Sequence, residues 1–295
     1  DLIMRKVLLA TTALVAMSVT AAQADVSIGG QGVFEIYSPS TGAQTFTSDG
    51  SVVITGTSTT DSGLTFKAVQ DTRFEGDRDE GNQLNDSYLE VSGDFGTLRM
   101  GHTDDALDRM DGNLAANMDL ETIGGQTGSI SGTAIGGDSQ NISLHLPSLN
   151  GLSLYGMTQA DGAGSGLGAN YSIAGVSLML QSKTGGTGAD STAMGVSFSA
   201  GGFKVNAGST TKDKTASAAK ITANDIGVSY TMGDIKLVAT SARGKQGTRT
   251  DKYSNVGVSY TIAPGITAMV ESGQSTAGAA ATDFDATWAA LAVSF

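Results

Sequence analysis

The chain has 295 residues, a formal net charge of −12, no cysteine, 41 glycines and 3 prolines. The acidity excludes a non-specific nucleic-acid binder, which needs a basic face. The missing cysteines exclude a disulfide framework and a thiolate metal site, and the glycine, serine and threonine content is foreign to a soluble helical protein.

In chain order, Arg5 and Lys6 precede the apolar run "VLLATTALVAM" and the small-x-small site "AQA" at 22–24. This is the pattern of a secretory signal peptide, with cleavage expected between Ala24 and Asp25. The alternative, a membrane anchor, asks for a longer apolar run. The residues "DLI" before Met4 read as a short upstream extension. The expected division is therefore 1–24 as signal and 25–295 as one β-barrel domain.

Past the signal, apolar residues alternate with polar ones, the period of strands. The alternation predicts sixteen strands, at 26–37, 51–59, 64–73, 86–92, 96–103, 138–146, 152–160, 167–173, 175–183, 192–199, 203–211, 224–231, 235–243, 253–262, 266–275 and 283–295. An even number suits a bacterial outer-membrane barrel. Short connections such as "GDFG", "AG" and "MGD" carry the Gly and Asp that tight turns require. They alternate with longer polar ones such as "KDKTASAAKITA" at 212–223. Short turns on one rim and long loops on the other are the outer-membrane pattern.

Parity then assigns faces. Val228, Tyr230, Val258, Tyr260, Val293 and Phe295 should point outward; Ser229, Ser259 and Ser294 should point into the lumen. Leu64, Phe66, Ala68, Leu98 and Met100 go out, while Thr65, Lys67 and Arg99 go in. A polar inside with an apolar outside is a wet barrel in lipid. Tyr171, Phe198, Tyr230, Tyr260 and Phe295 end successive strands at the short-turn rim, so they should form an aromatic girdle at the bilayer interface. Trp288 shares the inward parity of Ser294; the alternative is a bulge that resets the parity.

One connection is far longer than the rest. Residues 104–137 hold Asp104, Asp105, Asp108, Asp111, Asp119 and Glu121 against Arg109 alone. Unstructured loops of this length are functional or disordered. At this point "TTDSGLTFKA", "YLEVSGDFGTLRMGHTDDALDRMDGNL" and the terminal Phe295 resemble the general porins of Gram-negative bacteria, above all the alphaproteobacterial branch. "SGDFGTLRMG" running into an acidic loop is the most specific stretch, and the resemblance spans the chain.

The resemblance implies an all-β fold, a 16-stranded antiparallel transmembrane β-barrel with a long loop folded into the lumen, assembled as a homotrimer. It makes 104–137 the constriction loop. The acidic side of the eyelet would come from Asp104, Asp105, Asp108 and Asp111 first, then Asp119 and Glu121. The basic wall would be Lys67, Arg73 and Arg99. For any of these acids the alternative is that it caps a helix or solvates the loop. Expected partners are outer-membrane lipid, further copies of the chain, the assembly machinery that recognises the C-terminal strand, and small ions and solutes.

Six acids against one base on that loop predict cation preference, screened by salt. Asp77, Asp79 and Glu80 are a weak Ca²⁺ candidate, because Gly81 stands where a ligand belongs; the alternative is a solvated acidic loop. No other cofactor is expected. His102 and His145 have no serine elbow or HExxH pair around them, so no enzyme is expected. The expectation is passive diffusion of ions and small hydrophilic solutes across the outer membrane. A substrate-specific channel and a structural or adhesive barrel are the rivals.

Overall fold

Each alternating run has one face that water rejects and a backbone whose polar groups need partners; pairing the runs into a closed sheet meets both demands. The computed structural model describes residues 25–75, 83–110, 135–160, 164–185, 190–213, 219–276 and 284–295. Within them the strands are β1 (Asp25–Pro39), β2 (Thr45–Thr59), β3 (Thr65–Glu75), β4 (Gln83–Gly93), β5 (Gly96–Asp104), β6 (Asp138–His145), β7 (Leu152–Gln159) and β8 (Ser165–Ile173). The second half continues with β9 (Val176–Thr184), β10 (Ser191–Ala200), β11 (Phe203–Lys212), β12 (Ile221–Met232), β13 (Ile235–Gln246), β14 (Arg249–Ala263), β15 (Ile266–Thr276) and β16 (Phe284–Ser294). Each predicted run has its strand.

Every strand pairs antiparallel with its neighbours in sequence, and β1 closes the barrel on β16. The closing register runs from Gln31 opposite Ser294 to Pro39 opposite Ala286. Phe295 completes the seam: its N–H donates to the Gly30 carbonyl and its carbonyl accepts from the Gly30 N–H, both at 3.0 Å. Gly30 is required there, because a β-carbon would lie 2.5 Å from the Ser51 carbonyl oxygen and 2.8 Å from the Phe295 ring.

The short-turn rim is made by hairpins of the kind expected. Asn150 and Gly151 (φ 49° and 85°) and Ala174 and Gly175 (φ 49° and 80°) carry consecutive positive φ angles, the backbone of a type I′ turn whose twist matches the strands. On the long-loop rim several strands outrun their predicted ends: β2 begins at Thr45 rather than at 51. β13 and β14 run on past the predicted ends and meet across Gly247 and Thr248 alone. The stretch between the predicted runs is rich in Arg, Lys and Gly and reads as loop; instead it continues the ladder, with Lys245 and Lys252 outward and Arg249 and Asp251 inward.

The faces divide as parity requires. Leu167, Ile28 and Met194 are 72%, 67% and 58% exposed on the outside, a large apolar area that only lipid or a partner can shield at the usual ~25 cal/mol per Å². Ser229 and Ser259 are buried inside; Ser294, at the rim, is exposed. Trp288 does face inward. The β16 register is unbroken on both sides, so no bulge is involved. It packs with Ala286 and Ala290 against Val33, Tyr37 and Met269. The interior is thus not uniformly polar.

Candidate functional site

The lumen wall is built by the inward side chains, and its charges cluster where β3, β4 and β5 meet the long connection. Lys67, Glu90, Arg99 and Ser143 stand in one cross-strand row on β3 to β6. Glu90 Oε2 accepts from Arg99 Nε at 3.0 Å and Nη2 at 2.7 Å. The Arg99 guanidinium also lies 4.1 Å from the Tyr88 ring centroid, a favourable cation–π placement. Lys67 is half-buried and Arg73 exposed, both with inward parity. Sequence reasoning named these three bases and missed Glu90, although parity alone puts it in the lumen opposite Arg99.

The acids divide into separate roles. Asp105 is fully buried. Its Oδ1 accepts from the backbone N–H of Leu107 at 2.9 Å and of Asp108 at 3.1 Å, and its Oδ2 pairs with Lys183 Nζ of β9 at 3.3 Å. It caps the turn and ties the root of the connection to the wall. Asp104 ends β5, half-buried, and its charge acts on Asp86 together with that of Asp71. Asp108 opens a short 3₁₀ turn, Asp108–Met110. Burial first, then the charges of Asp104 and Asp105 and a hydrogen bond with Asp104, push its carboxyl up to about 6 against the pull of Lys183. Burial and then Arg99 hold Arg109 below the usual guanidinium range. Asp111, Asp119 and Glu121 lie outside the described residues, as do Asp77, Asp79 and Glu80. Among the described residues no group of three His, Cys, Asp or Glu side chains is placed to hold a metal ion.

Both described ends of the long connection seat on the inner wall of β7 to β10. Ala106, Leu107 and Ile135 are buried with Tyr155, Met157, Met179 and Ala193. Gln181 Nε2 donates to the Leu107 carbonyl at 2.7 Å and to the Tyr155 hydroxyl at 3.2 Å. Gly166 makes room: a β-carbon there would meet Leu107 Cδ1 at 2.8 Å. His145 faces the lumen too and stacks on Tyr155 with ring centroids 5.6 Å apart.

A second inward network lies across the barrel. Thr240 donates to the Asn255 side-chain oxygen, and Asn255 donates to Glu271, which is fully buried beside Trp288. Nothing in the linear spacing flagged it; only the register brings these residues into one band. On the outside, Tyr171, Phe198, Tyr260 and Phe295 are exposed at the short-turn rim. Tyr230 is half-buried and stacks on Phe203 with centroids 4.2 Å apart.

An apolar exterior around a charged, water-facing bore in a closed barrel defines an outer-membrane channel protein. The comparisons with known proteins agree. The chain belongs to the Gram-negative porin family, which it matches over residues 10–286. No curated protein matches it. Among solved structures it is similar to a loop-deletion mutant of OmpT, an outer membrane protein of Vibrio cholerae, with a TM-score of 0.75 at 14% identity over 92% of this chain and 99% of that one. OmpT in its trimer form gives 0.73 at 13% identity over 92% and 99%. A mutant of the Rh. blastica porin gives 0.73 at 18% identity over 92% of this chain and 100% of that one. Family and fold point to a channel rather than an enzyme.

Proposed function

We propose that this chain is a passive diffusion channel for ions and small hydrophilic solutes in the outer membrane, with a preference for cations. The observation that carries the preference is the ion pair between Arg99 and Glu90. Arg99, on the strand that leads into the acidic connection, is already neutralised. Lys183 is likewise occupied by Asp105. The acidic excess of the loop then sets the local sign, and a narrow channel with low-dielectric walls amplifies it. In this reading 104–137 narrows the bore, held by the seat of Leu107 on β7 to β10. Planar-bilayer recordings under a salt gradient test it: a reversal potential toward the cation Nernst value supports the reading, and one toward the anion value overturns the preference. Absence of conductance from a folded, heat-modifiable barrel overturns the channel.

The working unit in this proposal is a homotrimer joined through the outward face of β1 to β3. Gly32 and Gly56 face outward there, with open space where a β-carbon would stand and no positive φ. Neither backbone conformation nor packing within the chain explains them, and glycine weakens a strand. Close approach of a neighbouring subunit does explain them. The polar Ser48 and Thr72 share that face.

A further inference from the structure

The long-loop ends of β13 and β14 turn three cations toward the outside of the barrel. Arg243, Lys245 and Lys252 are exposed and share the parity of Leu237, Val256 and Val258. Arg243 stands directly opposite Lys252, and Lys245 follows opposite Thr250. Like charges directly opposite on one sheet face repel. No acid faces outward from β12, β13 or β14 to relieve them. Asp225 and Asp251 point inward and are buried, and Asp251 is bound by Arg249 at 2.6 Å. Asp213, in the neighbouring connection, is paired with Lys220 at 3.3 Å. The outward Asp285 stands on β16, opposite Gln274.

The position of the cluster says what relieves the repulsion. One pair of serines, Ser241 opposite Ser254, separates the cations from the apolar belt that begins with Ala239 and Val256. The cations sit at the long-loop rim, where the belt ends and lipid headgroups begin. Asn224 and Thr222 on one side and Thr276 on the other supply hydrogen-bonding side chains in the same rows. The site opens sideways, away from the lumen. We propose that Arg243, Lys245 and Lys252 bind the phosphates of an anionic lipid of the outer leaflet. The guanidinium fork matches a phosphate bidentately and the two ammonium groups add point charges around it. The inference rests on the outer-membrane reading for its orientation, with the long-loop rim outermost, but not on conductance or ion preference.

The test uses the full chain folded in neutral detergent micelles, with diphosphoryl lipid A as probe and native mass spectrometry as readout. The wild type should retain the lipid, less so as salt is raised. Arg243→Gln with Lys252→Gln should weaken retention at least tenfold, and Lys245→Gln alone by a smaller factor. Lys204→Gln, which removes the same single charge as Lys245→Gln but from the inner face, should leave it unchanged. Heat-modifiable mobility confirms that each variant is folded. Equal retention by the double variant, equal retention of the dephosphorylated lipid, or full displacement by inorganic phosphate at equal phosphate concentration would each overturn the proposal. A barrel that conducts nothing yet retains the lipid in this pattern would sink the channel reading and leave this one standing.

Discussion

Glu90 Oε2 holds both Nε and Nη2 of Arg99 on the inner wall of β4 and β5, at 3.0 and 2.7 Å. One carboxylate oxygen therefore cancels the base that would otherwise attract anions to the mouth of the acidic connection. Glu90→Gln should uncover Arg99 and lower the cation-over-anion permeability ratio by about two- to threefold, the scale expected of one screened charge in a narrow bore. Arg99→Gln should raise it. Reversal potentials of the two variants moving in the same direction would show that the pair does not set the local sign.

Asp108 should make the proposed cation preference depend on pH. Its carboxyl is pushed up to about 6, so it gains a proton as pH falls through that value and the loop becomes less negative. Cation preference should drop between pH 7 and pH 5, and Asp108→Asn should flatten the change. The effect on stability has the opposite sense. The folded chain binds this proton more tightly than the unfolded one, whose value is near 3.8, so the group favours the fold below about 3.8 and that benefit is lost as pH rises through about 6. Reversal potentials at the two pH values check the first statement, and urea unfolding of wild type against Asp108→Asn checks the second.

Ala174 carries a β-carbon at φ 49° in the β8–β9 hairpin. Left-handed backbone costs a residue other than glycine about 1–2 kcal/mol. Ala174→Gly should therefore raise stability by about 1 kcal/mol, read as a higher urea midpoint for unfolding from lipid vesicles with no change in conductance. A lower midpoint would show that the turn is not strained.

Gly32 lies outward with open space around it, so Gly32→Phe fits the single barrel. If subunits approach there, the ring should separate them. The expected outcome is a heat-modifiable monomer in sedimentation, while Val256→Phe on the opposite side leaves the assembly intact. A Gly32→Phe trimer of wild-type mass would move the interface elsewhere.

The barrel was legible because alternation is a local property: each run declares its own two faces, and Ser229 against Val228 is decided by neighbours in sequence. Strand ends were less so. Lys245 and Lys252 fall outside the predicted runs and look like loop residues until the neighbouring strands supply the hydrogen bonds that extend the ladder. The charged wall was half legible. Lys67 and Arg99 were placed inward by parity, yet the partner that cancels Arg99 sits nine residues away on the next strand. Asp105 is indistinguishable from Asp104 in sequence. Its role as a cap and anchor comes from Lys183, 78 residues on, and no short-range pattern reports such a contact.

The pairing of Gly30 with Phe295 also has a temporal side. Fourteen of the strands can find their neighbours as soon as the next one arrives, but the edges of β1 and β16 meet only when nearly the whole chain is present. Closing so long a loop is slow, and until it happens β1 offers a bare edge to any other extended peptide. The interval before closure is when this protein is most open to pairing with the wrong chain, and its cell must shelter that edge for as long as the interval lasts.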